Sequence, residues 1–460
     1  MLASLMTATA LIALDATIIA TAVPSIVADL GGFTQFPWLF SIYLLTQAVT
    51  VPLYGKLADV VGRRPVLLAG IAVFVAASVL CGLAWSMPAL IAARALQGIG
   101  AGAVLPMSIT IVGDLYSVPE RARVQGYIAS VWGVSSVVGP ALGGVLSEYA
   151  SWRWIFLLNL PLGAAAAWML ARRFTETVAK RSHHLDLPGA ALLTVGCSLL
   201  ILGLLQGGVS WAWSSGVSIG IFAGAVAALA AFVPAERRAH EPVLPLWIFS
   251  RRVLAGGNLV AVGIGVVLIG LSSYVPTYVQ GVLGTGAVVA GSALAAMTLG
   301  WPISAALSGR VYLRIGFRDT AFIGLLVTAA GAGWTVLFGT ETTVLTVAAA
   351  CFVVGLGLGL SSAPTIVAVQ SVVGWERRGV VTATNLFARN LGSAIGVAIF
   401  GALANSSIDG REPTAGVLAD AAHQVFVGVA VAAVVTLLVL WTMPRRTEAL
   451  TFDAPVGAEP

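Results

Sequence analysis

The sequence predicts an all-α membrane protein with fourteen spanning helices: two six-helix bundles and two further helices inserted between them. Three observations lead there: composition, the spacing of apolar runs, and an internal repeat. Charged residues make up only 9% of the 460-residue chain and apolar residues 58%. Soluble domains carry about 25% charge, so a fold of this size in water could not cover its surface. Lipid tails accept such a surface, and the 52 glycines, sitting inside apolar runs, suit close helix contacts there.

A span needs about 20 mostly apolar residues. Such runs occur at 3–28, 37–54, 66–85, 88–112, 124–147 and 152–171, then at 188–206 and 213–234. Six more follow at 253–279, 287–308, 320–338, 343–368, 379–403 and 421–442. The first run holds no Lys or Arg and contains Asp15, so it reads as a spanning helix and not as a signal peptide.

The repeat relates the first six runs to the last six. Leu53-Tyr54-Gly55-Lys56 aligns with Leu307-Ser308-Gly309-Arg310. Without a gap, Gly62 then meets Gly316, Arg64 meets Arg318 and Gly70 meets Gly324. Two six-helix halves in one orientation are a transporter plan. The domains expected are 1–172, an inserted pair at 173–250, a second bundle at 251–445, and a cytoplasmic tail at 446–460.

Basic residues set the orientation, because cytoplasmic loops hold the excess of Lys and Arg. With the N-terminus inside, the inner segments hold Lys56, Arg63 and Arg64; Arg121 and Arg123; Arg172, Arg173, Lys180 and Arg181; Arg237, Arg238, Arg251 and Arg252. They continue with Arg310, Arg314 and Arg318; Arg377 and Arg378; Arg445 and Arg446. Arg153 and Arg411 fall outside, and Arg94 and Arg389 fall within helices. Both termini are thus expected in the cytoplasm. The net charge of +5 is topological, and nucleic acid is not implied. Cys81, Cys197 and Cys351 lie in apolar runs without paired spacing, so neither a disulfide framework nor a metal motif is expected. His183 and His184 read as a solvated loop.

Ionisable residues at membrane depth are costly and mark function. Asp15 lies near the middle of the first run and is the expected proton-coupling carboxylate; the alternative is an acid paired permanently for structure. Arg94, with Gln97 one turn on, and Arg389 each need a counter-charge, and Asp15 can serve only one at a time. Alternatively both arginines tie helices together. The cavity is expected to hold Gln97, Asn385, Arg389 and Asn390, with Tyr43, Gln47, Tyr274 and Tyr278 as further polar candidates; those tyrosines could equally belong to an interfacial belt. Gly133, Gly139, Pro140, Gly143 and Gly144 share one helix, where Gly139 and Gly143 let another helix approach and Pro140 favours a bend. Glu148 closes that helix as a solvated acid or a proton stop-over. Trp152, Arg153 and Trp154 fit an interfacial anchor. No nucleotide-binding loop, H-E-x-x-H or G-x-S-x-G occurs, so an enzyme is not expected and energy must come from a gradient.

These motifs resemble the major facilitator superfamily, in its fourteen-helix drug:proton antiporter branch, over nearly the whole chain. Leu14-Asp15-Ala16-Thr17 followed by Ala22-Val23-Pro24 resembles the branch's first-helix signature. Gly55-Lys56-Leu57-Ala58-Asp59-Val60-Val61-Gly62-Arg63-Arg64 resembles the superfamily's loop between helices two and three, with Val60 where the family often carries Arg. Arg94-Ala95-Leu96-Gln97-Gly98 resembles the motif tied to proton transfer, and Gly133 to Gly144 resembles the antiporter motif of exporters. Trp152-Arg153-Trp154 with Asn159 and Pro161 resembles the start of helix six. The resemblance implies a major facilitator fold, alternating access, and proton-driven export of small amphipathic molecules such as drugs. It also allows a dedicated cargo, a lipid or secondary metabolite. The partners implied are protons, substrate and the cell-membrane bilayer, with no cofactor and a monomeric chain. In that setting Gly55, Asp59, Gly62, Arg63 and Arg64 are expected to hold the inner gate shut.

Overall fold

The structure, a computed structural model, describes the chain except residues 32–34, 36–37, 175, 177–185, 209, 240–241, 409–413 and 446–460. The tail, His183, His184 and Arg411 therefore lie outside the described residues. The elements are α1 (Leu2–Leu30), α2 (Trp38–Val61), α3 (Arg63–Gly82), α4 (Met87–Leu115), α5 (Val118–Tyr149), α6 (Trp154–Leu157), α7 (Asn159–Arg173) and α8 (Leu187–Gln206). They continue with α9 (Gly216–Arg238), α10 (Trp247–Ser250), α11 (Arg252–Gly281), α12 (Ala287–Ile315), α13 (Phe317–Val336), α14 (Val344–Ser371), α15 (Trp375–Ile408) and α16 (Ala415–Val439). Among the described residues there is no strand, only an isolated bridge between Gly207 and Trp211.

Among the described residues, twelve helical segments are long and apolar enough to cross a membrane, α6 and α7 forming one of them. The sequence leads to an expectation of fourteen. The two runs that fall away are α2 and α13, and both are diluted by polar and small residues. Gln47, Lys56 and Asp59 interrupt α2; α13 opens on Phe317-Arg318-Asp319 and spends Gly324 and Gly331 on close packing against α14.

The repeat is visible in the backbone. Gly62 (φ 100°) joins α2 to α3 and Gly316 (φ 89°) joins α12 to α13. An L side chain disfavours this left-handed region, so glycine lets each helix pair turn without a loop. The helices also outrun the apolar segments: α5 starts at Val118 and α15 at Trp375, because helix continues past the hydrocarbon where water or side chains satisfy its ends.

The halves meet along two seams. At one, α2 packs on α15; at the other, α5 packs on α12. The inserted α8 lies against both α2 and α15. Its Leu193, Cys197 and Ile201 share an apolar cluster with Leu45, Ala48 and Val49 of α2. Helix α9 packs on α8. We call the end that carries Arg63, Arg121, Arg314 and Arg378 the basic end.

Candidate functional site

Three constellations emerge: a buried acid, a cavity and a latch. The acid lies wholly within the first half. Asp15 and Arg94 are each 1% exposed and pair at 2.6 Å. Asp15 also accepts from Gln97 Nε2 at 2.8 Å and from Asn159 Nδ2 at 2.9 Å. Arg94 donates to the Leu39 carbonyl at 3.2 Å and to Gln97 Oε1 at 2.6 Å, and its guanidinium lies 4.2 Å from the Tyr43 ring centre. Ser78 Oγ accepts from both Gln97 and Asn159. A carboxylate taken out of water needs charge pairing and full hydrogen bonding, and α1, α2, α3, α4 and α7 each contribute to that.

This arrangement corrects part of the sequence reading. Asp15 pairs with Arg94, and Arg389 lies elsewhere, so the two arginines do not share the acid here. Gln97, 0% exposed, and Tyr43 belong to the acid's shell and not to the cavity. Asn159, quoted for its motif alone, is a direct partner, and Ser78 is a partner with no sequence signal of its own.

The cavity lies between the halves and measures about 260 Å³. Helices α4 and α5 supply one wall, and α11, α12, α14 and α15 the other. Arg389 and Asn385 line it as expected, and Gln125, Trp132, Thr298 and Trp301 join them. Asn385 is tied to the Gly257 carbonyl at 3.0 Å and to Asn258 Oδ1 at 3.2 Å. Asn390, Gln47 and Tyr274 are not among the described lining residues. Tyr278 is removed altogether: it stacks on Phe338, meets Phe426 edge-on and donates to the Gly339 carbonyl at 2.7 Å. Glu148 is exposed at the far end of α5. Trp152 is not a belt residue; it is 3% exposed and donates to Asp29, which also pairs with Arg153 at 2.6 Å.

The latch closes the basic end. Asp59 pairs with Arg63 at 2.9 Å and accepts from the backbone N–H of Gly379 (2.9 Å) and Val380 (2.8 Å) near the start of α15. The start of a helix carries partial positive charge, so the carboxylate holds that end of the opposite half. Arg63 reaches Asp114 at 3.1 Å, donates to the Trp375 carbonyl, and lies 3.8 Å from that ring's centre. Asp114 pairs with Arg378 at 2.6 Å. Gly55 permits the approach, since a Cβ there would strike Ala383. Arg64 takes no part; its backbone N–H donates to Glu176 and its side chain to the Ala171 carbonyl.

On α5, glycines clear space on two flanks. A Cβ at Gly139 or Gly143 would collide with Thr17 or Thr21 of α1. At Gly133 it would sit 3.0 Å from the Thr298 carbonyl of α12, and at Gly144 it would meet nothing. Pro140 lies inside an unbroken helix.

A bundle of apolar helices in two repeated halves, with a largely apolar cavity holding one arginine between them and a charge latch across one end, defines a membrane transporter. Residues 5–397 match the family model described as Major Facilitator Superfamily, and the chain belongs to that family: it is a multi-pass membrane transporter of the drug-efflux type, not an enzyme. It is 36% identical over 394 residues to the multidrug transporter protein MdtP of Bacillus subtilis, covering 86% of this chain and 73% of that one. Multidrug resistance protein 3 of the same organism is 35% identical over 85% of this chain and 76% of its own length. The efflux pump dotC of Dothistroma septosporum is 31% identical over 84% and 68%. A crystal structure of the human organic anion transporter MFSD10 (TETRAN) shares the fold at a TM-score of 0.68, with 18% identity over 95% of this chain and 98% of that one.

Proposed function

We propose that the protein is a proton-coupled antiporter that exports amphipathic small molecules across the cell membrane by alternating access. One observation carries the reading: Asp15 is buried at membrane depth in a site whose every partner belongs to the first half. Deprotonated, it holds α1, α4 and α7 together through Arg94, Gln97 and Asn159. Protonation removes the charge and releases Arg94. Breaking a buried pair on one side costs about 3–5 kcal/mol, enough to shift a two-state equilibrium by a hundredfold or more.

The helices that feel this change reach the other two constellations. Helix α4 carries Arg94, the cavity residues Leu105 and Ile109, and the latch acid Asp114. Helix α2 carries Leu39 and Tyr43 at one end and Asp59 at the other. Helix α1 leans on α5, whose Gln125 and Trp132 line the cavity. With the basic end in the cytoplasm, the closed latch corresponds to a cavity facing outward. The two polar helices α2 and α13 complete fourteen spans, both termini lie inside, and the chain works as a monomer.

The test is substrate-induced proton release from purified protein over a range of pH. Asp15→Asn is expected to insert normally, to release no protons on substrate addition and to lose gradient-driven efflux. Proton release equal to the parent's removes Asp15 from the coupling role.

A further inference from the structure

The cavity contains one charged side chain and nothing to neutralise it. Arg389 projects from α15 into a wall built of Ile128, Trp132, Ile264, Leu268 and Trp301. Among the described residues its guanidinium has no ion pair and no hydrogen bond, and no carboxylate lines the space. The membrane-depth acid that could have answered it, Asp15, is committed to Arg94 in the interior of the first half. The neighbouring polar side chains, Gln125, Thr298 and Asn385, are neutral.

We infer that the cargo is an amphipathic acid, its carboxylate or sulfonate seated on Arg389 and its apolar body between Trp132 and Trp301. This rests on the exporter reading above and names the substrate class of the same cavity. An arginine in a low-dielectric space without a partner is costly, and a bound anion removes that cost. Its guanidinium fork matches a carboxylate bidentately, whereas it repels a cation. Two indole rings supply large apolar faces for the remainder of the molecule. Selection by charge thus lies in the second half, apart from the acid of the first half. Cargo and proton occupy different sites and communicate through α1 and α5, and do not compete for one carboxylate. An acid leaving while a proton enters moves charge in one electrical sense, so transport responds to membrane potential as well as to pH.

Two dansyl probes test this, identical except that one ends in undecanoate and the other in undecyl-trimethylammonium. With purified protein, the undecanoate is expected to bind about tenfold to a hundredfold more tightly than the ammonium probe, the worth of a charged hydrogen-bonded pair. Arg389→Gln erases that preference, and Arg389→Lys, which keeps the charge and loses the fork, retains part of it. Equal binding of both probes, or a preference that survives Arg389→Gln, overturns the inference. Thermal melting of both variants identifies misfolding, and Arg389→Lys alone then decides: a full, undiminished preference in it overturns the bidentate seat. Proteoliposomes with an imposed proton gradient separate this from the exporter reading. Gradient-driven movement of the ammonium probe alone sinks the acid cargo and leaves export intact. Selective binding of the undecanoate with no gradient-driven movement of either probe sinks export and leaves the charge preference standing.

Discussion

The two halves close the basic end with the same loop and different chemistry. In the first half, the turn at Gly62 brings Asp59 and Arg63 against the start of α15, with Asp114 and Arg378 completing a charged network. In the second, the turn at Gly316 brings Tyr312 against the start of α5, where its hydroxyl donates to the Val118 carbonyl and its ring packs on Phe317 at 4.9 Å. In the register of the repeat, Leu313 stands where the first half has Asp59, and Phe317 where it has Arg63. The glycine turn is common to both; the charge is not. A latch of buried charges is expensive to break from one side and sensitive to any charge nearby, while an aromatic contact with one hydrogen bond is weak and indifferent. The repeat thus supplies a symmetric hinge, and the first half alone supplies the control.

The largest expected effect follows from removing that control. Asp59→Asn deletes the charge facing Arg63 and two backbone donors, and weakens the closed state by about 3 kcal/mol, a hundredfold shift. In a background lacking Cys81, Cys197 and Cys351, a cysteine at Ser362 in the cavity is expected to label from the basic side about a hundredfold faster in that variant. Unchanged labelling would make the two latches equivalent. A smaller effect tests the shared geometry. Gly62→Ala and Gly316→Ala each force a left-handed residue and cost about 1–2 kcal/mol, so both are expected to lower the melting temperature to a similar extent. A loss at one position only would confine the hinge to that half. The smallest effect is Tyr312→Phe, which removes one hydrogen bond worth about 1 kcal/mol and raises Ser362 labelling several-fold at most. A larger change than that of Asp59→Asn would reverse the assignment of control.

Much of this was readable without coordinates, and what was not has physical reasons. A lone acid at membrane depth and two arginines needing a counter-charge single out Asp15, Arg94 and Arg389, but not which arginine meets the acid. The turn at Gly62 and the close approach at Gly139 and Gly143 were marked by glycine, the residue that permits them. Depth along a helix is legible, but azimuth is not. Gln97 and Tyr43 turn inward to the acid, and Tyr278 turns to Phe338 and Phe426. Gln125, Trp132 and Trp301 escaped notice because an amide or indole in an apolar helix has no distinctive spacing. The apolar criterion finds twelve spans for a related reason. Helices α2 and α13 hold their place partly through neighbours, α4 and α15 for one and α14 and α16 for the other, so tertiary contacts offset the polarity that their own residues bring.

The inserted pair changes how the molecule meets its lipids. Helix α8 leans on α2 and α15 together, covering one seam between the halves, while among the described residues the α5–α12 seam has no such cover. On α5, Val134, Val137 and Val145 are exposed. A lipophilic molecule diffusing in a leaflet therefore finds one flank strapped and the other bare. The two-fold repeat alone would make the flanks alike. The insertion gives the transporter a front and a back in the plane of the bilayer.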